Sequence, residues 1–196
     1  MLNYAVDFCK LQASHLEPQG YRPEAVSYRS ASLEIVRNLL QKKDKPKVLN
    51  LAPLTSGLFN LMAPLNPLLV SIDSETTSFS EQLCVIKSSS EQFDLVLLWD
   101  CLMYRTVSEQ NQLLEVIQEH STTGTNLMAY STVRQELPQI PSFFKVDSDY
   151  TVSIIPRTSE SICCQRSELF RSLSGWRNSH TLQLRNSFRE HLIIRL

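Results

Sequence analysis

The run Phe93-Asp94-Leu95-Val96-Leu97-Leu98-Trp99-Asp100 limits the possible folds more than any other segment. Its apolar residues do not alternate with polar ones, so both faces of the extended chain must be covered. A strand covered on both faces belongs in the middle of a parallel sheet layered with helices. Lys47 to Leu51, Leu68 to Ile72 and Asn126 to Tyr130 are shorter runs of the same kind. Helical spacing recurs between them. Leu33, Val36, Leu39 and Leu40 fall on one face of Tyr28 to Gln41, and Thr55 to Met62 forms a short helix before Pro64 and Pro67. Thr106 and Glu109 have capping-box spacing ahead of Leu113, Leu114 and Ile117, with Thr123-Gly124-Thr125 as the stop. This alternation of helix and strand with short connections predicts an α/β fold with a mostly parallel sheet.

Three segments depart from the pattern. The residues between Asp73 and Phe93 are too few for a helix, a strand and two loops, so one element there is reduced or absent. Residues of about 132–162 carry Pro138, Pro141 and Pro156, adjacent Phe143 and Phe144, and an apolar-polar alternation at Tyr150 to Ile155. They read as an insertion over the C-terminal end of the sheet. A last helix is expected at Arg166 to Leu173, closed by Gly175, and then two alternating runs, Asn178 to Leu184 and Phe188 to Leu196, joined by Arg185-Asn186-Ser187. That ending requires an antiparallel hairpin at the sheet. Residues 1–27 read as a lead-in, with a short helix broken at Glu17-Pro18-Gln19-Gly20, and 28–196 as a single domain.

Composition narrows the functional classes. Net charge is -1 and 42% of residues are hydrophobic, which favours neither a disordered chain nor an electrostatically driven nucleic-acid binder. From Arg157 to the C-terminus seven arginines stand against three glutamates, either as the solvent face of strands and a helix or as a surface for an anionic partner. The five cysteines show no metal-ligand spacing and no CxxC pair, as expected of reduced thiols, and no metal site is expected. The N-terminus lacks a secretory pattern and no apolar stretch is long enough for a membrane helix, so a cytoplasmic protein without membrane contact is expected.

Candidate chemistry lies at the strand ends. Val48-Leu49-Asn50-Leu51-Ala52-Pro53-Leu54-Thr55-Ser56-Gly57 has the strand-loop-helix layout that holds a ribose-bearing cofactor, with Asp73 about 20 positions on. In such loops glycine lets backbone N–H groups approach a ligand. Ala52 and Leu54 fill those places and Gly57 remains, so the loop reads either as a ligand loop or as a plain connection. Asp73 can accept both hydrogen bonds of a ribose diol or cap a helix. Asp100 ends the central strand beside Cys101, where it serves a ligand or a neighbouring loop. Trp99 reads as core, and His120 as a helix C-terminal residue. No Ser/His/Asp order, HExxH, phosphate loop or zinc pattern occurs.

On these residues the chain resembles the class I S-adenosylmethionine-dependent methyltransferases over about 28–196. Val48 to Gly57 is similar to their first motif, with Asn50 in place of the acid and Ala52 and Leu54 in place of glycines. Ser71-Ile72-Asp73 matches the acidic end of the second strand, Phe93 to Asp100 the fourth strand, and Leu173-Ser174-Gly175-Trp176 with Leu182 to Arg185 and Glu190 to Leu196 the ending. The resemblance implies a Rossmann-like sheet with a C-terminal antiparallel hairpin, its third strand, an edge strand, reduced or absent. It implies S-adenosylmethionine as cofactor, with Asn50, Ala52, Thr55, Gly57, Asp73, Asp100 and Cys101 around it and Asp73 on the ribose. The acceptor, unidentified, would lie under the insertion near Asp100, Cys101 and Tyr104; no catalytic base is assigned. The alternative is a catalytically inactive methyltransferase-like binding or scaffold protein with a protein partner.

Overall fold

In the computed structural model, residues 25–74, 76–133, 136–157, 161–163, 173–184 and 187–196 are described. The lead-in helix and nearly all of the expected helix at Arg166 to Leu173 lie outside them. Six strands make the main sheet: β2 (Lys47–Asn50), β3 (Leu68–Ser71), β4 (Phe93–Trp99), β5 (Ser121–Thr132), β10 (Trp176–Gln183) and β11 (Phe188–Arg195). Their order is β10-β11-β5-β4-β2-β3. From β3 to β5 neighbours run parallel, and β11 enters antiparallel between β5 and β10, as the alternating C-terminal runs require.

Helices cover both faces. On one lie α1 (Ala31–Leu40) and α2 (Ser56–Met62), whose Leu33, Val36, Leu58 and Met62 meet Val48, Leu95, Leu97 and Met128 in one apolar core. On the other, α3 (Phe79–Ser88) and α4 (Val107–Glu119) bring Ile86, Leu113, Leu114 and Ile117 against Leu49, Val96, Leu98 and Leu127. The central strand is buried on both faces because side chains alternate between these two cores.

Capping residues set the helix starts. Thr106 and Glu109 form the expected capping box of α4, and Ser78 and Glu81 form a second at α3. The short stretch after Asp73 therefore keeps its helix, and among the described residues no strand lies between β3 and β4. This leaves β3 at the sheet's edge. Two boundaries differ from the sequence reading. The first helix starts at Ala31, not Tyr28, because Ser30 caps it through the Leu33 N–H while Val26–Arg29 forms a strand, β1. The helix before β5 ends at Glu119, ahead of Gly124, because His120 and Ser121 already engage β4: the Phe93 N–H donates to the His120 carbonyl and Ser121 pairs with Phe93.

A second sheet comes largely from the region read as an insertion. β7 (Phe143–Val146) and β8 (Thr151–Ile155) pair antiparallel, and β1 adds to the other edge of β8 to give the order β1-β8-β7. The short strands β6 (Glu136–Pro138) and β9 (Ser161–Cys163) pair separately. Phe144, Val146, Val152 and Ile154 turn inward and join the core of α1 and α2. The alternation at Tyr150 to Ile155 is the sequence trace of this sheet. The part played by β1 was not legible, since four residues of mixed polarity become a strand only when β8 is beside them. Among the described residues no helix is long and apolar enough to cross a membrane.

Candidate functional site

The order of the sheet turns at β2, with β3 on one side and β4 on the other. In open parallel sheets the crevice at the C-terminal ends of strands at such a turning point is where ligands bind. Asn50, the last residue of β2, is fully buried. Its amide Nδ2 donates to the Ala52 carbonyl (2.7 Å) and to Ser71 Oγ at the end of β3 (2.9 Å). Its Oδ1 accepts the indole N–H of Trp99 from the end of β4 (2.7 Å). An aspartate could not replace it, because a carboxylate has no proton to give the Ala52 carbonyl. Asn50 thus ties together the ends of three adjacent strands.

Trp99 reaches Asn50 from an unusual backbone. Its φ is +51°, the left-handed region, and the register of β4 on β5 shifts between Leu97 and Trp99. For a residue with a side chain this costs about 1–2 kcal/mol, and such strain concentrates at functional sites. The ring is nearly parallel to Tyr130 (centroids 6.1 Å, 10°) and lies 5.0 Å from Phe144 of β7. Trp99 is core, as its sequence suggested, and its indole N–H also bonds the end of β2.

The loop after β2 divides into an open and a covered part. Ala52 is half-buried, and Leu54 is 44% exposed, so its side chain is not packed into the core. Thr55 caps α2 by accepting the Leu58 N–H. Gly57, two residues further, faces β7 so closely that a methyl group in place of its hydrogen would overlap the Val146 carbonyl. Asp73 stands half-buried just past the end of β3, its carbonyl accepting the Thr77 N–H. Asp100 is buried, and its Oδ2 accepts the Ser142 N–H from the segment leading into β7 (3.0 Å). Tyr104 also reaches that segment, through the Ile140 carbonyl. Cys101 faces the opposite core, and burial pushes its thiol up to about 12, which leaves it protonated and a poor nucleophile at neutral pH. The structure brings Asn50, Ala52 and Ser71 into one network, places Asp73 at the neighbouring strand end, and ties Asp100 to the second sheet.

One polar cluster at this end had no place in the sequence reading. Glu190 of β11 is fully buried beneath the N-terminus of α1. It accepts from Ser30 Oγ (2.7 Å), Tyr130 Oη (3.1 Å), the Ser32 N–H (3.4 Å) and, through a short contact, Tyr28 Oη. The two phenol oxygens lie 2.5 Å apart. Burial, reinforced by the neighbouring carboxylate, raises both phenols above their ordinary range and keeps them protonated. The signal was present in the sequence: Phe188, Glu190 and Leu192 alternate inward along one strand, and a carboxylate among inward apolar residues must find donors.

On the other face of β11, His191 bridges Ser131 Oγ through Nε2 (2.7 Å) and Thr181 Oγ1 through Nδ1 (3.1 Å). Burial, with Arg189 beside it, lowers its pKa from 6.5 to about 4, against a weaker opposing pull from Glu190. Between these values the unfolded chain binds the proton and the native one does not. This stabilisation is complete above about pH 6.5 and is lost as pH falls through about 4. Urea midpoints at pH 7.5 and 4.5 should therefore differ more in the wild type than in His191→Gln; equal differences would show that His191 does not set the acid limb.

No protein-family model matches the chain, and no curated protein matches its sequence. Solved structures do match it. The PH0226 protein of Pyrococcus horikoshii OT3 aligns at 14% identity over 84% of this chain and 89% of its own, with a TM-score of 0.50. A glycopeptide N-methyltransferase complexed with S-adenosylmethionine aligns at 13% identity over 86% and 96%, with a TM-score of 0.45. The N-methyltransferase NodS from Bradyrhizobium japonicum WM9 aligns at 10% over 83% and 93%, with a TM-score of 0.47. The likeness is one of fold alone: a Rossmann-like α/β architecture whose sheet is mostly parallel and ends in a C-terminal antiparallel hairpin.

Proposed function

We propose that the protein is an S-adenosylmethionine-dependent methyltransferase whose cofactor lies across the ends of β3 and β2. The observation that carries this reading is Asp73, a half-buried residue just past the end of β3, whose last residue, Ser71, donates to the Ala52 carbonyl of the loop after β2 (3.1 Å). A carboxylate so placed can take both hydroxyls of a ribose, and Leu54 offers an apolar wall. The replacement of glycines by Ala52 and Leu54 strains nothing here, because neither residue has a positive φ.

When bound, the cofactor supplies a methyl group made electrophilic by its sulfonium. The work left to the chain is to bind, to align the acceptor and to exclude water. Asp73 would hold the ribose, and Asn50, Ala52, Thr55 and Gly57 would form the loop beneath the cofactor. Asp100 would border it from the end of β4, and Cys101, whose side chain is turned into the opposite core, would contribute its backbone alone. The acceptor would enter beneath the second sheet near Tyr104.

Calorimetry tests this directly. S-adenosylmethionine should bind the purified protein, and Asp73→Ala should weaken binding by more than about tenfold, the loss of a charged hydrogen-bonding group from a ribose site. Unchanged affinity would refute the placement of the ribose. A second reading, a catalytically inactive binding or scaffold protein, is favoured by the capture of Asp100 by the Ser142 N–H and the seating of β7 on Gly57. Neither heat nor thermal shift at about 1 mM ligand, a concentration that reveals affinities weaker than most cofactors show, would establish it over the first.

A further inference from the structure

We propose that Trp99 is an autoinhibitory latch. Its indole occupies, at the end of β2, the hydrogen-bonding position that a ligand at the turning point of the sheet would use, and it must swing out before that ligand is seated. This inference rests on the cofactor reading above. Four observations carry it. Asn50 gives both amide donors to Ala52 and Ser71, so the side-chain group it could offer a ligand is Oδ1, and the indole N–H holds that oxygen at 2.7 Å. Trp99 keeps this bond from a left-handed backbone, φ +51°, at a break in the register of the central strand. A conformation of this kind persists only where surrounding contacts hold it, whereas a residue serving packing alone is better placed on an unstrained strand end.

The remaining two observations join the latch to the second sheet. Phe144 of β7 packs on the Trp99 ring at 5.0 Å, and the next residue, Asp100, accepts the Ser142 N–H. A ligand that displaces Trp99 therefore also loosens β7 where it covers the start of α2. The latch thereby couples occupation of the crevice to the position of the strand above it.

Trp176 is the only other tryptophan, so Trp176→Phe makes Trp99 the sole indole fluorophore. In that protein, titration with S-adenosylmethionine should shift the Trp99 emission to longer wavelength as the ring leaves its buried place. Binding without any change in emission would overturn the latch and leave the cofactor reading intact. Trp99→Phe removes the indole N–H and should bind S-adenosylmethionine about tenfold more tightly, the factor by which a site closed nine-tenths of the time is weakened. Equal or weaker binding by a Trp99→Phe protein that melts cooperatively would also overturn it, and the emission experiment decides should that variant fail to fold. Absence of binding by both proteins would refute the cofactor reading and the latch with it.

Discussion

Replacing Glu190 with alanine is expected to lower the unfolding free energy by about 3–5 kcal/mol, seen as a fall of roughly 2 M in the urea midpoint. The carboxylate is fully buried and takes hydrogen bonds from the hydroxyls of Tyr28, Ser30 and Tyr130 and from the Ser32 N–H. Those donors come from β1, the cap and first turn of α1, and β5, so a single side chain fastens three elements to β11. Removing it leaves buried donors without an acceptor, and each such group costs about 1–3 kcal/mol. Ser30 is also the cap of α1, and the first turn of the helix loses its anion at the same time. Glu190→Gln should recover part of the loss, because it keeps an acceptor oxygen but points an amide N–H₂ at other donors. A loss below about 1 kcal/mol for Glu190→Ala would show that the donors find other partners and that the cluster is not a lock.

Gly57→Ala should destabilise the protein, reversing the effect that helix propensity alone would give. Within a helix this change ordinarily stabilises by about 0.5–1 kcal/mol. Here the added methyl overlaps the Val146 carbonyl, a backbone group that cannot rotate away, so either α2 or β7 must move. Overpacking of this kind costs about 1–3 kcal/mol or more, enough to outweigh the propensity gain. Hydrogen exchange locates the effect. Amides of β7 and β8 should lose protection before those of β4 and β5, whose neighbours on both sides are untouched. An alanine variant as stable as the wild type would mean that β7 does not rest on α2 in solution.

The strands and most helices were legible in the sequence because each depends on its own residues. The uninterrupted apolar run of β4 can be satisfied only between two layers, and the Thr106 and Glu109 box marks the start of α4 wherever that helix is placed. The loss of one element after Asp73 was legible as a shortage of residues. That the strand was lost and the helix kept was settled by Ser78 and Glu81, whose local capping bonds need no neighbour. The strand β1 was not legible, because it exists only through pairing with β8 more than 120 residues away.

The candidate site divides in the same way. Sequence spacing placed Asn50, Ala52, Asp73 and Asp100 at strand ends, since strand order and chain direction follow from the alternation of elements. It could not say what those side chains touch. The Asn50 bond to Trp99, the hold of Ser142 on Asp100 and the seat of Val146 on Gly57 join residues 49, 42 and 89 positions apart. Such contacts depend on how separate elements pack, and no local pattern records them. By itself the sequence determined an α/β sheet with a carboxylate, Asp73, just past one strand end, because periodicity and capping are local. Only the tertiary structure decided that an indole and a second sheet stand over the neighbouring ends, because filling that space required chain from four distant segments to meet.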